Sequence, residues 1–286
     1  MLKKLIIAGA LVLLGPLAAS ATLPVHCEED EARSVEILER LAAMRDAPRG
    51  MRIAVVAEML AGAGADSYYY KDSIATLRLN VDTFTPMTFV NTVLALAKTS
   101  DAATPSITLL EDNLQNLACR RGENAGFPSI MWHSSEWILD NSYRDNLKEI
   151  TENYQGTRSK LRSLDYLTRH RTEFAALADE QTYEKVKMQE FGFRNHRLPI
   201  IPRSYIGRKE IEEDLRDGDI LVLVCNADGR DIYQIGFLKK GDDGEIHFIH
   251  YDPAQEKVMI EEEPLKRYFN LTQKHFGGFR WIRFLD

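Results

Sequence analysis

Residues 81–97, VDTFTPMTFVNTVLALA, decide the fold. Thr85 is a residue type that caps helix N-termini, and Pro86 takes the first helical position, where a missing N–H costs nothing. Phe89, Val90, Val93, Leu94 and Ala97 follow at helical spacing, so the stretch predicts a buried helix. Such a helix start is a good seat for a cysteine nucleophile, because its unpaired N–H groups and positive dipole end favour the thiolate. Here that seat holds proline.

Leu77-Arg78-Leu79-Asn80-Val81 precedes the helix, and Thr88-Phe89-Val90 with Val93-Leu94-Ala95-Leu96 runs along it. These segments resemble the nucleophile segment of the NlpC-type cell-wall cysteine peptidases, in their N-acetylmuramoyl-L-alanine amidase-like branch. There an Asp-Cys pair precedes Thr-Phe-Val; Thr85-Pro86 stands in its place. Ser134-Ser135-Glu136-Trp137-Ile138 is similar to a Ser-Asp-Trp-Ile element of the same family. The resemblance runs from about Val35 to Phe284 and is sharpest at 88–96, 135–141 and 218–220.

A cysteine peptidase needs a thiolate, an imidazole to take and return the proton, and a polar group to orient that imidazole. In the resembling family the imidazole lies on a strand, in a His-Val-Gly type motif, and the orienting residue lies on the next strand. Tyr233-Gln234-Ile235-Gly236-Phe237 resembles the first motif with Gln234 at the histidine, and His247-Phe248-Ile249-His250 the second with His250 orienting. An amide has no proton affinity near neutral pH and proline offers no nucleophile, so two of the three roles are unfilled. The resemblance therefore implies a pseudoenzyme that binds peptidoglycan fragments or an envelope protein in the former groove. Its candidate lining is Tyr70, Thr85, Trp132, His133, Gln234 and His250. The competing reading is an active amidase or peptidoglycan peptidase with an unrecognised nucleophile, for which Thr85 or Thr88 would need a base.

With 286 residues and 44% hydrophobic content, the chain can bury a full core. Lys3 and Lys4, the apolar run Leu5 to Leu14 and the small residues Ala19-Ser20-Ala21 describe a secretory signal peptide over 1–21. The mature chain would begin at Thr22, exported to the periplasm or cell surface. The apolar run is short for a membrane span, and no later segment suits one. His26 before Cys27 argues against a lipoprotein, which needs a small residue there. Losing two of 36 basic side chains leaves 34 against 43 acidic ones, a balance that speaks against nucleic acid as a partner.

Cys27, Cys119 and Cys225 are an odd number for an exported chain, so one thiol stays free or pairs outside it. Cys225 ends an apolar run and reads as a small core residue; Cys119 precedes Arg120 and Arg121, which would lower its pKa, and otherwise reads as a half-buried helix-end thiol. His247 and His250 are three apart on a strand and point to opposite faces, so they do not chelate one ion. No metal or cofactor is expected.

Glu28 to Ala47 reads as a helix with Val35, Leu38, Leu41 and Ala42 inward, ended by Pro48-Arg49-Gly50. A second helix spans Met51 to Leu60, Tyr68 to Tyr70 lie in a loop, and Leu77, Leu79 and Val81 alternate as a strand. Thr104-Pro105 opens a helix closed by Gly122. Trp132 and Trp137 line a groove or pack into the core. Ser159 to Phe193 is charged and helix-forming, with Leu161, Leu164, Leu167, Phe174 and Leu177 inward. It resembles the family's helical insertion, at about 155–195 of a single domain 22–286, and its charges read as a solvated face. A short helix follows at Lys209 to Leu215. Strands follow at 219–224, 232–238, 245–251, 257–260 and 278–284, with turns at Asp217-Gly218, Asp228-Gly229 and Asp243-Gly244. Helices first and an antiparallel sheet second is an α+β arrangement, and the resemblance makes it papain-like.

Overall fold

The computed structural model describes residues 24–73, 75–227 and 229–285. The expected leader 1–21, its cleavage site and Asp228 of the expected Asp228-Gly229 turn lie outside the described residues. Among the described residues the first half is mainly helical: α1 (Glu28–Ala42), α2 (Arg49–Met59), β1 (Gly64–Ala65), α3 (Tyr68–Lys71), β2 (Thr83–Phe84), α4 (Pro86–Thr99), α5 (Ile107–Ala118) and α6 (Ser134–Tyr143). A mixed stretch holds β3 (Leu147–Glu149), β4 (Arg158–Arg162), α7 (Tyr166–Arg169), α8 (Glu180–Gly192), β5 (His196–Pro202) and α9 (Lys209–Glu212). The last part is β6 (Ile220–Cys225), β7 (Ile232–Lys240), β8 (Ile246–Asp252), β9 (Lys257–Ile260), α10 (Leu265–Leu271) and β10 (Phe276–Phe284). No helix among the described residues is long and apolar enough to cross a membrane.

The main sheet is antiparallel in the order β4-β5-β10-β6-β7-β8-β9, with β3 pairing on β10. The α+β expectation is met, and α4 is its centre. Thr85 caps α4, Pro86 is its first residue, and Phe89, Val90, Val93 and Leu94 have no exposed surface. Burying each of these side chains stabilises the fold by about 1.5–3 kcal/mol. The sheet separates two cores because alternate strand residues face opposite ways. Ile235, Phe237 and Ile249 pack on the α4 side, where the Phe89 and Phe237 ring centroids are 5.8 Å apart. Leu238, Phe248 and Trp281 pack on the other side with Tyr268 and Phe269 of α10, a helix the sequence pattern did not reveal.

Gly218 sits at φ +77°, and a Cβ there would come within 2.5 Å of the Gly50 carbonyl oxygen. Glycine is required at this turn, which presses the start of α2 against the entry to β6.

Several local expectations change. The inward face of α1 is Ser34, Ile37, Leu38 and Leu41, with Val35 40% exposed. Pro48 is the N-cap of α2, so Pro48-Arg49-Gly50 begins a helix. Tyr68 to Tyr70 start the short α3. Leu77, Leu79 and Val81 are buried, but the segment makes only an isolated bridge, between Val25 and Arg78. Ser106, not Thr104, caps α5, which ends at Ala118; Gly122 closes a separate short turn at φ +73°. The run 159–193 opens on β4, paired with β5, and Leu161 is 70% exposed because β4 ends the sheet. Leu164, Leu167, Phe174 and Leu177 are buried as expected.

Candidate functional site

Thr85 and Thr88 close the start of α4 reciprocally. The Thr88 N–H donates to Thr85 Oγ1 at 3.3 Å and the Thr85 N–H donates to Thr88 Oγ1 at 2.8 Å. Both hydroxyl oxygens thus serve the cap. Thr85, Pro86 and Met87 line a cavity of about 260 Å³.

Aromatic rings make much of its wall. Tyr70 stacks on Phe174 at 5.1 Å and Trp132 on Phe127 at 4.6 Å. Tyr233 and Tyr251 reach the cavity from the sheet, and the Arg230 guanidinium lies 3.6 Å above the Tyr166 ring. Such a wall covers apolar faces of a ligand while offering the phenols of Tyr70, Tyr233 and Tyr251; the Trp132 indole N–H donates to the Phe127 carbonyl at 3.3 Å.

Asp66, His133 and Asp231 of its lining are buried, while Arg230 is exposed. His133, at the start of α6, lies with Nε2 2.9 Å from Glu190 Oε1 of α8. Glu190 also accepts the N–H groups of Leu167 at 2.9 Å and Thr168 at 3.0 Å, and the Thr168 hydroxyl at 2.5 Å. Asp231 Oδ2 accepts from Ser134 Oγ at 2.8 Å and the Ser135 N–H at 2.5 Å. Burial works against the His133 imidazolium, but the Glu190 hydrogen bond and the charges of Asp231, Glu190 and Glu136 outweigh it and raise its pKa. Burial likewise opposes ionisation of Glu190 and Asp231; the His133 and Thr168 bonds at Glu190, and the His133 charge with the Ser134 and Ser135 bonds at Asp231, pull both below the usual carboxylate value.

Tyr70, Thr85, Trp132 and His133, together with Pro86, converge on this cavity. Gln234 and His250 do not. They share strand parity with Leu238 and Phe248 and lie on the α10 side of the sheet. Gln234 Oε1 accepts from the Tyr268 hydroxyl, while His250 stacks on Phe248 at 4.7 Å with Nε2 2.7 Å from Glu261 Oε1. Both are buried. His247 faces away from His250, with Nε2 3.2 Å from Asp243.

Trp137 is a core residue, fully buried, its Nε1–H donating to Asn91 Oδ1 at 2.8 Å. Cys119 is fully buried too, and burial pushes its thiol up to about 11 against the smaller pull of Ser129, Arg144 and Arg120. Neither Cys119, Cys225 nor exposed Cys27 lines the cavity. Glu190, in the run read as a solvated face, is 5% exposed. Asp66, Arg230, Asp231 and Glu190 were not singled out in the sequence, because isolated charges carry no periodic signal. For Asp231 the one hint is its place between the Gly229 turn and the apolar β7.

Neither Thr85 nor Thr88 has an imidazole among its hydrogen-bond partners, and the cavity imidazole is engaged by a carboxylate.

Residues 64–277 match the AmiA-like family, described as N-acetylmuramoyl-L-alanine amidase-like. No curated protein matches the chain. Among solved structures it is similar to an N-acetylmuramoyl-L-alanine amidase from Bacteroides uniformis ATCC 8492, with 20% identity, TM-score 0.73 and coverage of 83% of this chain and 99% of that one. A Bacteroides fragilis protein provisionally described as a xylanase gives 21% identity, TM-score 0.69 and coverage of 80% and 99%. A protein from Legionella pneumophila strain Philadelphia 1 gives 16% identity, TM-score 0.67 and coverage of 90% and 96%. At these identities the likeness is one of fold.

Proposed function

The chain belongs to the N-acetylmuramoyl-L-alanine amidase-like family, and from that premise we propose that it is an exported, catalytically degenerate member that binds peptidoglycan fragments in the cavity at the start of α4. The observation that carries this reading is Pro86. It occupies the helix start that a nucleophile would need, facing a cavity in which, among the described residues, no hydroxyl or thiol is paired with an imidazole. In the same reading the fold is papain-like, of the NlpC type, the protein is a single domain from 22 to 286 with an insertion at about 155–195, and the leader 1–21 directs export. Aromatic walls and the buried charges behind them favour a ligand with both sugar or aliphatic faces and ionised groups.

The test is calorimetry with purified disaccharide-peptide fragments, followed by mass spectrometry of the same mixtures after long incubation. Saturable binding without release of peptide supports the proposal. Time-dependent cleavage of the lactyl-alanine amide that Thr85→Ala abolishes would establish the competing reading, an active hydrolase with a threonine nucleophile.

A further inference from the structure

The cavity contains two buried carboxylates that the fold treats differently. Asp231 is held by Ser134 and Ser135 and feels the His133 charge. Asp66, 8% exposed, accepts one bond, from the Tyr68 N–H at 2.7 Å, and among the described residues no cation lies within ion-pair distance of it. Its own N–H donates to the Phe84 carbonyl at 2.9 Å, which fixes it beside the entry to α4.

That single bond does not account for the charge. A neutral asparagine would make the same turn with its amide oxygen, whereas the carboxylate keeps further acceptor lone pairs for a cation that enters the cavity it lines. The surroundings favour such a cation. Tyr70 and Tyr251 line the same cavity as Asp66, and aromatic faces attract ammonium groups. Arg230 lines the same cavity, its guanidinium resting on the Tyr166 ring at the exposed rim. Opposite charges thus flank one aromatic space.

We propose that Asp66, with Tyr70 and Tyr251, forms a subsite for a primary ammonium group, and that Arg230 takes a carboxylate of the same ligand. This rests on the cavity being a peptidoglycan-fragment site, and it narrows the ligand to fragments whose diamino acid keeps both its side-chain amine and its carboxylate free. Cross-linked or amidated fragments would lose one anchor.

The experiment is calorimetry of the full mature chain with three probes: a disaccharide-tripeptide ending in a diamino acid with free amine and carboxylate, the same fragment N-acetylated on that amine, and the same fragment amidated at that carboxylate. Acetylation should weaken binding at least tenfold. Asp66→Asn should weaken binding of the parent fragment to a similar extent and remove the sensitivity to acetylation; Arg230→Gln should remove the sensitivity to amidation. Because the acetylated and amidated arms vary the ligand, a folding defect in either variant leaves the test intact. Equal affinity for parent and acetylated fragment overturns the ammonium subsite while the cavity remains a fragment site. Failure of all three probes to bind overturns both.

Discussion

Glu190 Oε1 lies 2.9 Å from His133 Nε2, and the pair joins the start of α6, where His133 lines the cavity, to α8. Glu190→Ala removes the acceptor of four donors at once and leaves His133 buried without its partner. The expected loss is about 3–5 kcal/mol of unfolding free energy in urea titration. Glu190→Gln, which keeps the acceptor oxygen, should lose less. An alanine variant within about 1 kcal/mol of the parent would show that the pair does not hold the helices together.

The same group sets a pH window. His133 has a folded pKa above its ordinary value of 6.5, so the stability it contributes is fully present below 6.5 and is lost as pH rises through the folded value. Glu190 and Asp231 have folded values below 4.5 and 3.8, so theirs is present above those values and lost as pH falls through the folded ones. The denaturation midpoint should therefore peak between about pH 4.5 and 6.5. His133→Gln should flatten the alkaline limb, and a midpoint that rises from pH 7 to 8.5 would contradict the assignment.

Pro86→Cys should be tolerated, at about 1 kcal/mol or less, because Thr85 and Thr88 keep the cap. Adding Gln234→His should leave the new thiol's titration unchanged, since Gln234 lies on the α10 side of the sheet. The pH dependence of iodoacetamide alkylation, read by peptide mass spectrometry, compares the single and double variants. A thiol markedly more acidic in the double variant would place residue 234 in the cavity after all.

Tyr70 is 43% exposed and stacks on Phe174, so Tyr70→Ala should cost little stability, on the order of 1 kcal/mol or less. The same change should weaken binding of a disaccharide-peptide fragment about tenfold, equivalent to about 1.4 kcal/mol. Calorimetry and thermal unfolding of one sample separate the two effects. Unchanged affinity would remove the aromatic wall from the binding site.

Native protein at pH 8 should take iodoacetamide at Cys27 well before Cys119, because Cys119 is buried with its thiol pushed up to about 11. Unfolding in guanidinium should expose every thiol. Rapid native labelling of Cys119 would mean that the α5 end opens readily.

The central helix and the C-terminal strands were legible because their information is local: a cap, a proline at the first turn, apolar runs and glycine turns. The facing of Gln234 and His250 was not. A motif match carries no statement of which side of a strand a residue occupies, and β7 also shifts register against β6 between Leu223 and Val224, which places Tyr233 opposite no single partner. β4 escaped notice because RSKLR has little apolar alternation, as suits a strand with one neighbour. Glu190 looked solvated because its partners, His133, Leu167 and Thr168, come from elsewhere in the chain and no periodicity records them.

β4 has a further consequence, for how molecules of this protein meet. It is the end strand of the main sheet, and its outer row of backbone donors and acceptors is the kind of edge that recruits a second sheet. Exposed Arg158 stands on it, so two copies approaching edge to edge would first bring like charges together. That repulsion weakens as added salt shortens the Debye length from about 10 Å at 0.1 M to about 3 Å at 1 M, while exposed Leu161 loses nothing. Concentrated solutions should therefore stay monodisperse at low ionic strength and begin to self-associate through this strand as salt is raised.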